Sequence, residues 1–285
     1  MVSTVFCASL GGDAISSSFD HRIVEQGDAQ GIFFVFDRGK SLDIGAIRSF
    51  VEATSDTFVS VEQLRNAVTK PVLAPDDNAQ DMSSLQTLSV QLLHGGLTFD
   101  LVFSPDGQSD GFRSDLANFD CDWPLEAGLG STLQLRPGHH IGSGANSLPI
   151  MRRFMELARD FVLHFDQIAA VIWPPAKSVI GRRYFDSSIS AWLERGVFPP
   201  QGLVAFREAA NGEFHSQGLD YFIGQELRIA ADLMDDAGFP AGLSARLVNQ
   251  LILSGTTTER QDLIAPNGRR ISLNPIADGK IILVR

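Results

Sequence analysis

The chain has 285 residues, and 44% of them are apolar, so it can bury a substantial hydrophobic core. Its 34 acidic residues outnumber its 23 basic residues, and the net charge of -11 argues against a nucleic-acid partner and against an anionic membrane surface. Two cysteines, Cys7 and Cys121, are too few for a disulfide framework, and no apolar run reaches the roughly 18 residues of a transmembrane helix. We therefore expect a soluble, cytoplasmic protein with no nucleic-acid and no membrane partner.

The first half of the chain predicts strands, a helix and a hairpin. Residues 31–37 are a continuous run of β-forming apolar side chains, which indicates a central strand covered on both faces. Residues 43–55 begin with an N-capping Asp and continue with apolar residues at helical spacing. Two alternating stretches over residues 88–103, joined by Gly95 and Gly96, predict a hairpin. Other patterns predict a first strand over residues 2–8, a helix over 61–68, a loop over 71–84 and a short helix over 112–118.

The second half alternates between strand and helix patterns. Strands are predicted over residues 131–136, 168–173, 203–206 and 219–229, helices over 147–165, 184–195 and 240–253, and short strands from residue 263 onwards. This succession is typical of an α+β fold with a mixed, mainly antiparallel sheet, helices on one face and ferredoxin-like (split βαβ) elements. The parts 1–120 and 121–285 are predicted either as two tandem halves or as one continuous domain.

Several landmarks between residues 122 and 229 occur in a fixed order. They are the tract Asp122-Trp123-Pro124, a histidine at position 139 or 140, a long helix from Ser147, Trp173 at the end of a strand, a helix from Tyr184, and the segment Gly218–Leu227 of the form G-L-x-x-F-x-G-x-E-L. This order resembles that of an uncharacterised bacterial family, one of the domains of unknown function. The resemblance implies an α+β fold and assigns no reaction.

One candidate ligand-binding segment is the glycine-rich loop that contains Gly142, Ser143, Gly144, Asn146 and Ser147. The loop lies between a predicted strand and a predicted helix, where free backbone N–H groups and the helix dipole favour a phosphate or carboxylate. It has neither the lysine of a P-loop nor the third glycine of a dinucleotide-binding fingerprint, so no cofactor is predicted. A loop that ends with Ser147 as a helix N-cap explains the same residues without a ligand.

The other candidate ligand-binding residues are three histidines and one glutamate. His139 and His140 are adjacent, so in an extended strand at most one of them faces a given cleft. Glu226, in a predicted buried strand, would have a raised pKa, and Arg228 on the same strand face would neutralise it. His215 is a further candidate, but the chain has no zinc-binding motif, and no metal is predicted. A structural ion pair or hydrogen bond explains Glu226 without any chemistry.

Because no catalytic or cofactor motif is intact, the sequence favours a non-catalytic binding or protein-interaction protein with an unknown protein or small molecule as partner. Its groove is expected near the 139–147 loop and the 218–226 strand. The alternative is a hydrolase or transferase that holds a small anionic substrate at the Gly142–Ser147 helix start, with His140 or His215 as base and Glu226 as acid. A third hypothesis, based on the net charge alone, is an acidic partner of a cationic protein, such as a toxin-neutralising protein.

Overall fold

The computed structural model describes residues 31–37, 39–40, 42, 44–59, 88–104, 115–123, 132–233, 239–265 and 268–285. The predicted strand over 2–8, helix over 61–68 and loop over 71–84 lie outside these residues. The described part of the chain forms two β-sheets and several helices, which confirms the predicted α+β class. No helix in this part of the chain is long and apolar enough to cross a membrane.

The first sheet has eight strands in the order β2-β3-β4-β6-β1-β7-β8-β5, and all neighbours are antiparallel except β5 and β8. Its strands are β1 (Ile32–Phe36), β2 (Thr57–Val59), β3 (Leu88–His94), β4 (Leu97–Ser104), β5 (Ala117–Phe119), β6 (Thr132–Pro137), β7 (Ile168–Trp173) and β8 (Ser178–Gly181). Every residue of β1 is buried, because the strand lies between β6 and β7 and both of its faces are covered. The predicted central strand is therefore confirmed, as is the hairpin of β3 and β4.

The second sheet has six strands in the order β12-β13-β14-β11-β10-β9. Its strands are β9 (Ala205–Glu208), β10 (Phe214–Gln217), β11 (Glu226–Ile229), β12 (Gln261–Ile264), β13 (Arg270–Ile276) and β14 (Ile281–Val284). The pair β11 and β14 is parallel, and the remaining neighbours are antiparallel. Both sheets are mixed and mainly antiparallel, as predicted.

The described part of the chain also contains helices between these strands. They include α1 (Ile44–Ala53), α2 (Leu148–His164), α3 (Arg182–Leu193), α4 (Asp220–Ile223) and α5 (Phe239–Ser254). Other helical turns of three or four residues lie at Gly142–Gly144, Pro174–Ala176, Pro200–Leu203 and Ala231–Leu233. The four longer helices match helices predicted from apolar spacing, with ends that differ by a few residues.

Helix α2 contributes most of the helical side of the core against the first sheet. Its apolar residues recur at helical spacing, and Phe154 and Phe161 are fully buried. The ring of Phe161 lies 5.5 Å from that of Phe34 in β1, and the ring of Phe154 lies 5.9 Å from that of Phe99 in β4, measured between centroids. Buried side chains of the second sheet belong to the same hydrophobic cluster. One continuous core therefore extends from α2 to the second sheet.

The strand predicted over residues 219–229 is wrong in its first half. Residues 220–223 form the single-turn helix α4, Gly224 follows in the left-handed region with φ 73°, and only Glu226–Ile229 is extended. The consecutive side chains Tyr221 and Phe222 both pack against Trp173, with ring centroids 5.1 and 6.3 Å away. Neighbouring residues of a strand point to opposite faces and would not reach one ring in this way.

One further detail differs from the sequence-based expectations. The end of the short helix predicted over 112–118 is wrong, because residues 117–119 form strand β5 beside β8. The first sheet combines β1–β5 with β6–β8, so its strands come from both of the parts 1–120 and 121–285. Ferredoxin-like elements and tandem halves stay predictions.

Close backbone contact at the start of α3 gives a test of this packing. Gly181 is the last residue of β8, and a Cβ there would overlap the carbonyl oxygen of Asp120, whereas a Cβ on Gly142 would meet no atom within 4 Å. We expect Gly181→Ala to lower the free energy of unfolding by about 1–3 kcal/mol, because the backbone must shift. Gly142→Ala, the control, should change it by less than about 0.5 kcal/mol. Urea denaturation measures both, and equal stability of the two variants would contradict the β8–β5 packing.

Candidate functional site

A cavity of about 490 Å³ opens beside the second sheet, where β10, β11 and β14 meet α4. Its volume lies in the range of pockets that hold small molecules. The residues that line it are His215, Ser216, Asp220, Gly224, Glu226, Leu227, Arg228, Lys280 and Ile281. The cavity thus brings together two predicted site residues, His215 and Glu226.

The pairing of three strands determines which side chains meet in this cavity. His215 of β10 lies directly opposite Arg228 of β11, so both side chains are on the same face of the sheet. Glu226 precedes Arg228 by two residues and has the same orientation, about 7 Å along the strand. On the other side of β11, the backbone N–H of Glu226 donates to the carbonyl oxygen of Lys280 at 2.9 Å, which places the turn before β14 at the cavity.

The carboxyl group of Glu226 accepts hydrogen bonds from the chain that leads into β11. One oxygen, Oε1, accepts from the backbone N–H groups of Gly218 at 2.7 Å and of Asp220 at 3.3 Å. The other oxygen, Oε2, accepts from the hydroxyl group of Ser216. The same hydroxyl oxygen accepts the backbone N–H of Leu227 at 2.7 Å. Glu226 therefore fixes the path of residues 216–220, which form one wall of the cavity.

Burial raises the pKa of Glu226 to about 7, because a desolvated carboxylate is less stable than its protonated form. The hydrogen bond from Ser216 opposes this shift, whereas the neighbouring carboxyl group of Asp220 adds to it through a hydrogen bond and its negative charge. Glu226 consequently changes its protonation state near neutral pH.

Two basic side chains, Arg228 and Lys280, also line the cavity. Arg228 lies close enough to Glu213 to lower the pKa of that glutamate, after the larger effects of hydrogen bonds with Asn211 and His215. Neither Arg228 nor Lys280 forms a side-chain hydrogen bond or an ion pair with any residue that the structure describes. The predicted neutralisation of Glu226 by Arg228 is wrong, because the Glu226 carboxyl group turns towards Ser216 and the turn that follows it.

The segment before β11 is held in place by the buried side chain of Gln225. Its Nε2 donates to the carbonyl oxygens of Thr257 at 2.9 Å and Gly279 at 2.6 Å, and its Oε1 accepts the N–H of Thr257 at 2.7 Å. The hydroxyl group of Thr256 donates to the carbonyl oxygen of Ile223 at 2.8 Å. The chain after α5 therefore holds residues 223–225, which lead into β11.

The glycine-rich loop lies outside the described lining of this cavity. Gly142, Ser143 and Gly144 form a 3₁₀ turn, and the N–H groups of Gly144 and Ser147 donate to carbonyl oxygens within the loop at 2.9 Å. Those amides are not available to an anion. Ser147 occupies the N-cap position of α2, but its side chain makes no capping hydrogen bond.

The remaining candidate residues of this loop are also apart from the cavity. His139 and His140 are exposed, with ring centroids 5.9 Å apart. Asn146 donates from Nδ2 to the carbonyl oxygen of Tyr221 at 3.0 Å, so the loop contacts α4. The loop therefore lies beside the 218–226 segment, as expected, although its residues are not part of the cavity lining.

Sequence reasoning missed Ser216 and Lys280 as site residues. Ser216 follows His215 in a short alternating segment, and no motif distinguishes it from any other serine. Lys280 follows Asp278 and Gly279, a pair that predicts a turn and says nothing about a neighbouring strand. Within the described residues, no group of three or more His, Cys, Asp or Glu side chains could hold a metal ion.

The protonation of Glu226 gives a test of the site by pH. The folded-state pKa of about 7 lies above the usual 4.5, so between these two values the folded protein keeps a proton that the unfolded chain has lost. The contribution of Glu226 to the free energy of unfolding therefore falls as the pH rises from about 4.5 to about 7. Because glutamine does not titrate, we expect the free energy of unfolding of Glu226→Gln to rise by roughly 1–3 kcal/mol relative to that of wild type between pH 5 and pH 8. Denaturation at several pH values measures this difference.

A matched control separates this effect from the change in net charge. Glu208→Gln removes an exposed carboxylate at the end of β9, outside the cavity. If the free energies of unfolding of wild type and Glu226→Gln differ by the same amount from pH 5 to pH 8, Glu226 is not desolvated in the folded protein.

The chain matches no protein-family model, no curated protein sequence and no solved structure.

Proposed function

We propose that this chain is a non-catalytic binding protein whose cavity beside β11 holds a small ligand with an anionic group. The observation that carries the proposal is that Arg228 and Lys280, two basic side chains of the cavity lining, form no hydrogen bond or ion pair with any described residue. Arg207 and Arg182, by comparison, form ion pairs with Asp115 at 2.8 Å and Asp166 at 2.9 Å. Arginine binds carboxylate and phosphate groups through paired hydrogen bonds, so an anionic ligand group would complete the site.

The contacts of the reactive side chains support binding over catalysis. The hydroxyl group of Ser216 is buried and has two partners, since it donates to the carboxyl group of Glu226 and accepts the backbone N–H of Leu227. The nearby imidazole of His215 contacts Glu213 instead, at 3.3 Å from Nε2 to Oε2. Ser216 and Glu226 therefore support the shape of the cavity.

A hydrolase or transferase remains the second candidate, because His215 and Glu226 line one cavity and the pKa of Glu226 is near 7. The substrate anion would then be held by Arg228 and Lys280 instead of the Gly142–Ser147 turn. The test is incubation of the protein with phosphate and carboxylate esters. Hydrolysis by wild type that is lost in Glu226→Gln would favour this candidate over simple binding.

Binding of small anions tests the proposal directly. Calorimetric titration with phosphate, sulfate and short mono- and dicarboxylates should give at least one heat of binding for wild type. We expect Arg228→Gln to weaken that binding about tenfold to a hundredfold, since a hydrogen bond to a charged group contributes about 1.5–3 kcal/mol. Arg246→Gln, which removes an exposed arginine from α5, is the matched control. Equal affinities of wild type and the Arg228→Gln protein would exclude this cavity as the anion site.

A further inference from the structure

We infer that the ligand of this cavity is a zwitterion of the amino-acid type, with its carboxylate at Arg228 and Lys280 and its ammonium group at Asp220 and Glu226. This inference rests on the proposed function, and it names the class of ligand that the same site would take. It follows from the distribution of charge around the cavity, from the hydrogen-bonding capacity of the acidic side, and from the character of the remaining lining.

Opposite charges line this one cavity without neutralising one another. Arg228 and Lys280 come from β11 and the turn before β14, whereas Asp220 comes from α4, and no ion pair joins either basic side chain to Asp220 or Glu226. Elsewhere on the second sheet, Arg269 pairs with Asp232 at 2.6 Å. Because the basic and acidic side chains do not pair with each other, the basic ones can bind an anionic group of the ligand and the acidic ones a cationic group.

The acidic side of the cavity has room for hydrogen-bond donors. A carboxylate can accept about four hydrogen bonds, and Ser216 and two backbone N–H groups donate to that of Glu226. The Asp220 side chain is exposed at the same edge, and its carboxyl group lies close to that of Glu226. An ammonium group has three N–H donors and a positive charge, and it would relieve the repulsion between the two acidic side chains.

Ligands with one sign of charge fit this arrangement less well. A simple anion at Arg228 would approach the carboxyl groups of Asp220 and Glu226, and a simple cation at Asp220 would approach Arg228 and Lys280. Like charges so placed reduce affinity, because part of the attraction to one side is lost to repulsion from the other. A molecule with a carboxylate and an ammonium group a few atoms apart meets both sides favourably.

The rest of the lining suits the uncharged part of such a molecule. Ile281 contributes apolar surface, and a Cβ at Gly224 would meet no atom within 4 Å, so the lining is open at that residue. The volume of about 490 Å³ accommodates a small molecule with a side chain of its own. A free amino acid or a dipeptide fits these conditions.

Calorimetric titration of the full chain with matched probes tests the inference. The twenty protein amino acids are titrated first, and the tightest binder is then compared with its deaminated acid and its decarboxylated amine. We expect the amino acid to bind at least tenfold more tightly than either analogue. Asp220→Asn should weaken binding of the amino acid and leave binding of the deaminated acid unchanged or tighter, whereas Arg228→Gln should weaken both.

The pH dependence of affinity provides a second test, because it should have opposite signs for the amino acid and for its deaminated acid. The titratable and charged groups that face the site are Asp220, Glu226, His215, Glu213, Arg228 and Lys280. Affinity for the amino acid should rise from pH 5.5 to pH 8 as the acidic side loses its proton, and affinity for the deaminated acid should fall. Glu208→Gln is the control for net charge.

The outcomes separate this inference from the proposed function. If the deaminated acid binds as tightly as the amino acid, and Asp220→Asn has no effect, the ligand is a simple anion; the inference then fails while the binding function stands. If neither amino acids nor the inorganic and carboxylate anions bind, both fail. Asp220 is exposed, so its variant is expected to keep the fold, which thermal unfolding checks.

Discussion

Three hydrogen bonds to one partly buried carboxyl group define the wall of the cavity. Glu226 accepts from the hydroxyl group of Ser216 and from the N–H groups of Gly218 and Asp220, so residues 216–220 bend around it before α4 begins. The carboxyl group can serve as this acceptor only from inside the protein, and the same position removes it from water and raises its pKa. Its structural role and its titration near neutral pH therefore have one physical origin.

The charges around this group explain why the site is better suited to holding a ligand than to transforming one. Arg228 and Lys280 form no hydrogen bond or ion pair with any described residue, while the hydroxyl group of Ser216 and the carboxyl group of Glu226 satisfy each other. Ser216 is also buried, so its hydroxyl oxygen presents little surface to a substrate. The basic side chains, in contrast, can form strong charge-assisted hydrogen bonds with an anion, because electrostatic attraction is larger where little water is present.

Local sequence patterns predicted most of the fold, because apolar residues recur about every 3.6 residues in a helix and every second residue in a half-buried strand. The run at Ile32–Phe36 and the helical spacing along α2 were sufficient for a central strand and a long core helix. The pattern failed at α4, where Tyr221 and Phe222 both pack on Trp173 and Gly224 then redirects the chain. The candidate site was predicted only at His215 and Glu226, since Lys280 and Ser216 reach it through strand pairing that no local pattern encodes.

The parallel pairing of β11 with β14 has a consequence for how the cavity assembles. Glu226 lies beside Ile281, roughly 50 residues later in the chain, and α5 and two strands intervene. Closing so long a segment carries an entropic cost before the contact forms, and contacts of this kind develop late in folding. The chain would form the β3–β4 hairpin early, and it would form the ligand site only after β14 has paired with β11. Ligand would then bind, and further stabilise, only chains that have completed folding.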